Sequence, residues 1–447
     1  MRNPSNVNAL LAMKRYYSLG RMPKEKTERK NAMKKSLALL LALVMVFALA
    51  CPSAFAAPVE VTIFNSKMEI QDRLLELQDE WNDSHDDIHI DVMYSSDTVA
   101  AHMSTRYASN DPYVISMVDA KDIFSLGPDH AIDLSGEPWV EYTTQAITVG
   151  DKVLGFPVCV EARGILYNAD AIEAITGETF DPAAIRSTAD FQACVDTLIA
   201  GGMETPCGLQ KEDWSLGAHY LQQVYEMQPD PDAFIAGIKD GSVKLAEDPV
   251  FNALMDAFDV MKENNWMKDA PLSAVREDTE MMLAEGEIAF KFGGNWDWAN
   301  ISAFDYTENM GMMPVPTDLT EYNTKLVGGG SKYFFIDNSV SEEQQAAAKE
   351  FLNWLVMDEA GQDFLVNKCA LVPAFSNITL PVSDPLGASV KAFVDAGEMI
   401  GDYRYAPDDH YAKNGISFQK YLAGQIDRAG LADEITAYWA TAEVGAH

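Results

Sequence analysis

Three short segments put groups with recognition chemistry side by side. Glu161-Ala162-Arg163 sets opposite charges two residues apart within the apolar stretch Val158 to Leu166. Glu212-Asp213-Trp214 and Asn295-Trp296-Asp297-Trp298 each place indole rings beside acids or amides. An indole face stacks on a flat C–H surface, while carboxylates, amides and guanidinium groups pair with hydroxyls at its edge. A neutral sugar presents both kinds of surface. Every one of these residues also has a structural alternative. Trp296 and Trp298 suit core packing, Trp214 a core or surface contact, and Glu161 with Arg163 an ion pair. Arg163 also fits a bidentate grip on a carboxylate, as in a uronic acid. Asn295 reads as a helix N-cap, and Trp296 and Trp298, two apart on a helix, face different ways. Asn65, Ser66 and Asp119 follow strand-like stretches, where they serve equally as ligand contacts or turn caps.

The elements that must hold these residues alternate strand with helix. Val59 to Phe64 and Ile88 to Met93 alternate apolar with polar residues, as strands do. Between them Ile70, Leu74, Leu77 and Trp81 recur at helical spacing. Val114 to Val118 and Ile288 to Phe292 read as buried strands. Ser187-Thr188-Ala189-Asp190 and Ser341-x-x-Gln344 carry capping-box patterns ahead of apolar helical faces. Phe251, Leu254, Met255, Phe258 and Met261 make another amphipathic helix. The alternation predicts an α/β fold with mostly parallel sheets flanked by helices.

The chain has 447 residues. Leu37 to Ala50 is an apolar run behind Lys34 and Lys35, and Ala54-Phe55-Ala56 follows. That pattern predicts a secretory signal over residues 1–56, with Met33 as a more natural start. Two exits fit: cleavage after Ala56, or lipidation of Cys51 in Ala48-Leu49-Ala50-Cys51. Residues 57–447 hold 23 Lys/Arg and 66 Asp/Glu, a net charge of −43. Such a surface repels nucleic acid and anionic membrane. The remaining length exceeds what one core serves, which predicts two lobes. Cys159, Cys194, Cys207 and Cys369 match no zinc pattern, and Cys194 and Cys207 suit either a disulfide or buried thiols.

Gly155-Phe156-Pro157 through Glu161 to Tyr167-Asn168, Gly286-Glu287-Ile288-Ala289 running into Gly294-Asn295-Trp296-Asp297-Trp298-Ala299-Asn300-Ile301, and Val327-Gly328-Gly329-Gly330-Ser331 occur in that order. With these segments the chain resembles the carbohydrate-type extracellular solute-binding proteins of ABC importers, the family of maltodextrin-binding protein. The resemblance implies a two-lobed periplasmic-binding-protein-like fold with a hinge between lobes. Residues 58–160 with 331–373 would form one lobe, and 164–326 with 376–447 the other. It implies that Trp296 is a stacking platform, that Glu161 meets the ligand, and that Glu212 and Trp214 face the cleft. It implies a monomeric carrier, free or lipid-anchored on the extracellular face, that hands a small carbohydrate to an ABC permease without catalysis, cofactor or metal. Met117 and Val118 stand where maltodextrin binders carry an aromatic, which argues against a long glucan.

Other ligands fit the same fold, including a polyamine, a peptide or a metal chelate. An exported carbohydrate-active enzyme would use Glu161 and Glu212 as its acid and base. Tyr403, Tyr405 and Tyr411 are candidate walls of a cleft. His85 and His89 lie among Asp residues but on a helix end running into a strand, which keeps them apart as metal ligands. Gly328-Gly329-Gly330 lacks the Lys-Ser/Thr of a phosphate loop and suits a hinge.

Overall fold

The computed structural model describes residues 57–443 except Ser96, Tyr405 and Asp408. The expected signal, the Cys51 box and Tyr405 lie outside the described residues. The strands are β1 (Val59–Asn65), β2 (Ile88–Tyr94), β3 (Ile115–Asp119), β4 (Ile147–Val149), β5 (Lys152–Pro157) and β6 (Val160–Asn168). Then come β7 (Cys207–Gly208), β8 (Phe290–Gly294), β9 (Met310–Met313), β10 (Leu326–Gly330), β11 (Lys332–Ile336) and β12 (Met399–Ile400). They form two sheets, ordered β2-β1-β3-β11-β5-β4 and β12-β10-β6-β8-β7, with β9 also on β6. The molecule is a two-lobed α/β protein with helices around both sheets.

The sheets are mixed rather than mostly parallel. β1 pairs in parallel with β2 and β3, whereas β11 runs antiparallel to β3 and β5. In the second sheet β6 is antiparallel to β8, β9 and β10. The cause is chain reversal at the hinge: strands entering a lobe from its neighbour run against those built within it. The helix expectations agree with the structure. Leu74, Leu77 and Trp81 are buried on Gln71–Ser84, and Ser341 and Gln344 close a reciprocal capping box at Glu342–Met357. The strand expected at Ile288 begins instead at Phe290, because Ala289 and Phe290 donate their N–H groups to Pro206 O at 2.9 and 3.0 Å.

One buried core surrounds Val61, Ile63 and Met117 beneath the first sheet and continues through the hinge to Leu326 and Met312. A separate core around Phe258, Tyr220 and Trp439 fills the second lobe. Two crossings run side by side at the hinge. Val158 and Cys159 separate β5 from β6, and Ser331 alone separates β10 from β11. Val158 N donates to Lys332 O at 2.8 Å and Ser331 N to Cys159 O at 3.2 Å, so the crossings are laced together. Residues that begin β6 and β11 therefore sit where the two sheets meet.

Candidate ligand-binding cleft

The wall nearest the hinge is built from ion pairs. At the end of β1, Asn65 is fully buried and folds its amide onto the next turn. Its Nδ2 donates to Lys67 O at 2.8 Å and Gln71 Oε1 at 2.9 Å, and Lys67 N donates to its Oδ1 at 2.9 Å. This Asx turn carries Ser66 and Lys67 into the gap. Lys67 Nζ donates to Glu161 Oε1 at 2.5 Å. Burial alone would lower the ammonium's pKa and raise the carboxyl's. Their mutual attraction outweighs burial, so Lys67 lies above its ordinary value and Glu161 below. Asp119, closing β3, likewise accepts from Lys332 Nζ at 2.5 Å, and that attraction outweighs burial to lower its carboxyl.

Arg163 points the same way along β6 as Glu161, since side chains two apart share a sheet face. The pairing expected between them does not occur. Arg163 Nη1 donates to Asp402 Oδ1 at 2.7 Å and its Nη2 donates to Glu226. Glu226 also accepts from Tyr403 N at 2.9 Å, so Arg163 ties the loop at Asp402 and Tyr403 to the sheet. Burial pushes the Glu226 carboxyl up to about 7, with Arg163 opposing.

The facing wall is aromatic. Trp214 leads into a π-helical segment, Ser215–Tyr220, that carries His219. That segment packs backbone to backbone on helix His410–Leu422: a Cβ on Gly217 would lie 2.3 Å from Tyr411 O. The His219 ring sits between two indoles, 5.2 Å from Trp214 and 4.6 Å from Trp296 by ring centroids. Burial, with Arg163 adding repulsion, drives its imidazole down to about 3, so it is neutral at pH 7. Trp296 lies back across Gly294, where a Cβ would come within 2.3 Å of the indole; only glycine leaves that room. Arg276 braces the wall. Its Nε donates to Glu280 Oε1 at 2.6 Å and its Nη2 to Asp297 Oδ1 at 3.2 Å, and its guanidinium lies 5.7 Å from the Trp214 ring centre. Lys291 Nζ donates to Asp297 Oδ2 at 2.6 Å.

Between the walls lies a cavity of about 480 Å³ lined by Ser66, Asp119, Glu161, Arg163, Trp214 and Trp296 from the predicted set. An adjoining space of about 620 Å³ shares Trp214 and His219 and reaches Tyr411. Ser66 Oγ, Arg163 Nε and His219 Nδ1 are enclosed without a hydrogen-bond partner in the structure. Tyr403 is buried and borders the cavity.

Four predicted residues lie outside the cavity wall. Asn65 makes the turn described above. Glu212 Oε1 accepts from Arg276 N at 3.0 Å, which fixes the start of helix Arg276–Ala284, so Glu161 and Glu212 do not face a common space. Asn295 is no N-cap: its Oδ1 accepts from Ala162 N at 2.9 Å and fastens the turn to β6. Trp298 turns away to pack edge-on against Tyr306 with ring centres 4.9 Å apart. Sequence reasoning missed Lys67, His219, Arg276, Lys332, Asp402 and Arg404, all of which border the cavity. A signal existed for two of them. Lys67 stands beside Asn65 and Ser66, and Lys332 directly follows the glycine-rich crossing.

Cys159, Cys194, Cys207 and Cys369 are free thiols, so Cys194 and Cys207 are not bonded. Among the described residues no group of three His, Cys, Asp or Glu is disposed to hold a metal ion, and His85 stacks on Trp81 at 3.8 Å. No described helix is long and apolar enough to cross a membrane.

A hinged pair of α/β lobes with a polar, indole-lined cleft at the junction defines a class of solute receptors. The chain belongs to the bacterial extracellular solute-binding protein family, whose model matches residues 66–362. No curated protein sequence matches it. Among solved structures it is similar to RafE from Streptococcus pneumoniae in its apo form, with TM-score 0.71, 16% identity, and 86% of this chain and 98% of that one covered. A RafE complex with raffinose gives TM-score 0.72, 18% identity, and 86% and 99% coverage. An ABC-transporter binding protein from Bifidobacterium animalis subsp. lactis in complex with mannobiose gives 0.62, 17%, and 86% and 94%.

Proposed function

We propose that this protein captures a carbohydrate in the cleft between its lobes and delivers it to an ABC permease. The observation that carries the reading is the pairing of walls: Trp214, His219 and Trp296 face Lys67–Glu161 and Lys332–Asp119 across one cavity. Sugar C–H faces stack on the first wall, and sugar hydroxyls bond to the second. The raffinose and mannobiose complexes of similar folds point the same way. In this reading residues 58–160 with 331–373 make one lobe, and 164–326 with 376–447 the other. The protein acts as a monomeric carrier without catalysis, outside the cell, either free or lipid-anchored at Cys51.

Calorimetric titration against raffinose, mannobiose and a wider panel of saccharides tests this, with polyamines and peptides as the competing ligands. A saccharide is expected to bind, and Trp296→Ala to weaken it by about 2 kcal/mol, roughly thirtyfold. Binding of a polyamine or peptide with no saccharide bound would overturn the reading.

A further inference from the structure

The cleft inverts the charge balance of the chain. Acidic residues outnumber basic ones 66 to 23 over residues 57–447. Among the described residues lining the cavity, six are basic and four acidic. The six are Lys67, Lys121, Arg163, Arg276, Lys332 and Arg404. That local excess of cations within an acidic surface favours a solute that carries negative charge.

The pairing of these cations separates scaffold from ligand groups. Glu161 engages Lys67, Asp119 engages Lys332, and Asp402 with Glu226 engages Arg163. Behind the indoles, Arg276 and Lys291 meet Asp297, and Arg276 meets Glu280. Those pairs account for the wall's acids apart from Glu69, which stands 3.9 Å from Lys67. Arg404 is different. Its guanidinium carbon lies 5.5 Å from the centre of the Tyr333 ring, and it makes no ion pair among the described residues. Stacking leaves the edges of a guanidinium free to donate, which is how arginine takes a carboxylate or sulfate in a planar fork. Arg404 also borders the same cavity as the indoles, so one ligand can meet both.

We infer that the preferred ligand is an acidic saccharide, its carboxylate or sulfate held by Arg404 while its ring stacks on the indole wall. This rests on the saccharide reading above and narrows it. A neutral sugar would leave the free edge of the Arg404 guanidinium without a charged partner in the occupied cleft.

The test is an array on which each uronic-acid or sulfated glycan stands beside its carboxyl-reduced or desulfated counterpart, with hits followed by titration in low and high salt. Acidic members should bind at least about tenfold more tightly than their counterparts, with a preference that shrinks as salt rises. The uronic-acid and sulfate arms tell which anion is taken. Arg404→Gln, checked for an unchanged melting temperature, should cut the acid-over-neutral ratio by roughly tenfold. Equal binding of acidic and neutral partners would overturn this inference and leave the saccharide reading standing. An unchanged ratio in Arg404→Gln would overturn the assignment to Arg404. Failure of every glycan to bind would remove both.

Discussion

Lys67 and Glu161 hold one another in place: the lysine is buried and its carboxylate partner lies 2.5 Å away. A buried pair adds little by itself, but removing one member strands the other charge. Glu161→Gln should therefore cost about 3 kcal/mol in urea unfolding, and adding Lys67→Met should recover much of that loss. A loss below about 0.5 kcal/mol would mean the pair is solvated like an exposed one. His219 gives a pH signature. Its folded pKa is depressed to about 3, so as pH falls from the ordinary histidine value near 6.5 the unfolded chain takes a proton that the folded protein refuses. Its contribution to stability is complete above pH ~6.5 and drains away toward pH ~3, at up to ~1.4 kcal/mol per pH unit. His219→Phe should flatten that limb of the melting-temperature profile; superimposable acid limbs would show that the imidazole titrates normally.

At the scale of elements, the aromatic wall depends on close backbone approach. The indole of Trp296 occupies the space that a side chain on Gly294 would take. Gly294→Ala should displace the ring, lower stability by about 1–3 kcal/mol, and alter tryptophan fluorescence in the free protein. Ligand affinity should fall with it, since the stacking face moves. An unchanged emission spectrum together with wild-type stability would mean that the turn relaxes around the methyl group. The two laced crossings at Val158–Cys159 and Ser331 set the other elements in register. They let β6 and β11 begin at the same level, which is why Glu161 and Lys332 border one cavity although they are far apart in the chain.

At the scale of the molecule, two sheets joined by short crossings favour rotation about the hinge, and a ligand that touches both lobes shifts the balance toward the closed form. Small-angle scattering should show a smaller radius of gyration when the saccharide found by titration is added. The same ligand with Trp296→Ala should compact the protein only at a proportionally higher concentration. Binding without compaction would show that the lobes do not close on the ligand. The net charge of −43 over residues 57–447 keeps the exterior hostile to anions, so the cationic lining matters most inside the cleft, where salt screens it least.

The sequence by itself determined the α/β alternation, the capped helices, the hinge glycines and the presence of indoles beside acids at strand ends. These are local: periodicity, turn chemistry and ordered motifs are carried by neighbours in the chain. Trp214, Trp296, Glu161, Arg163, Ser66 and Asp119 were legible as a set for that reason. Tertiary structure alone decided which groups pair. Glu161 took Lys67, from 94 positions earlier, instead of nearby Arg163, and Arg163 took Glu226 and Asp402. Strand direction, too, depended on where the chain crosses the hinge. Trp296 and Trp298 were both candidates, with spacing that turns them different ways, and the fold decided which one enters the cleft: Trp296 borders the cavity while Trp298 packs onto Tyr306. A buried charge is neutralised by whichever partner the fold brings within about 4 Å, and that distance is set by packing between elements remote in sequence.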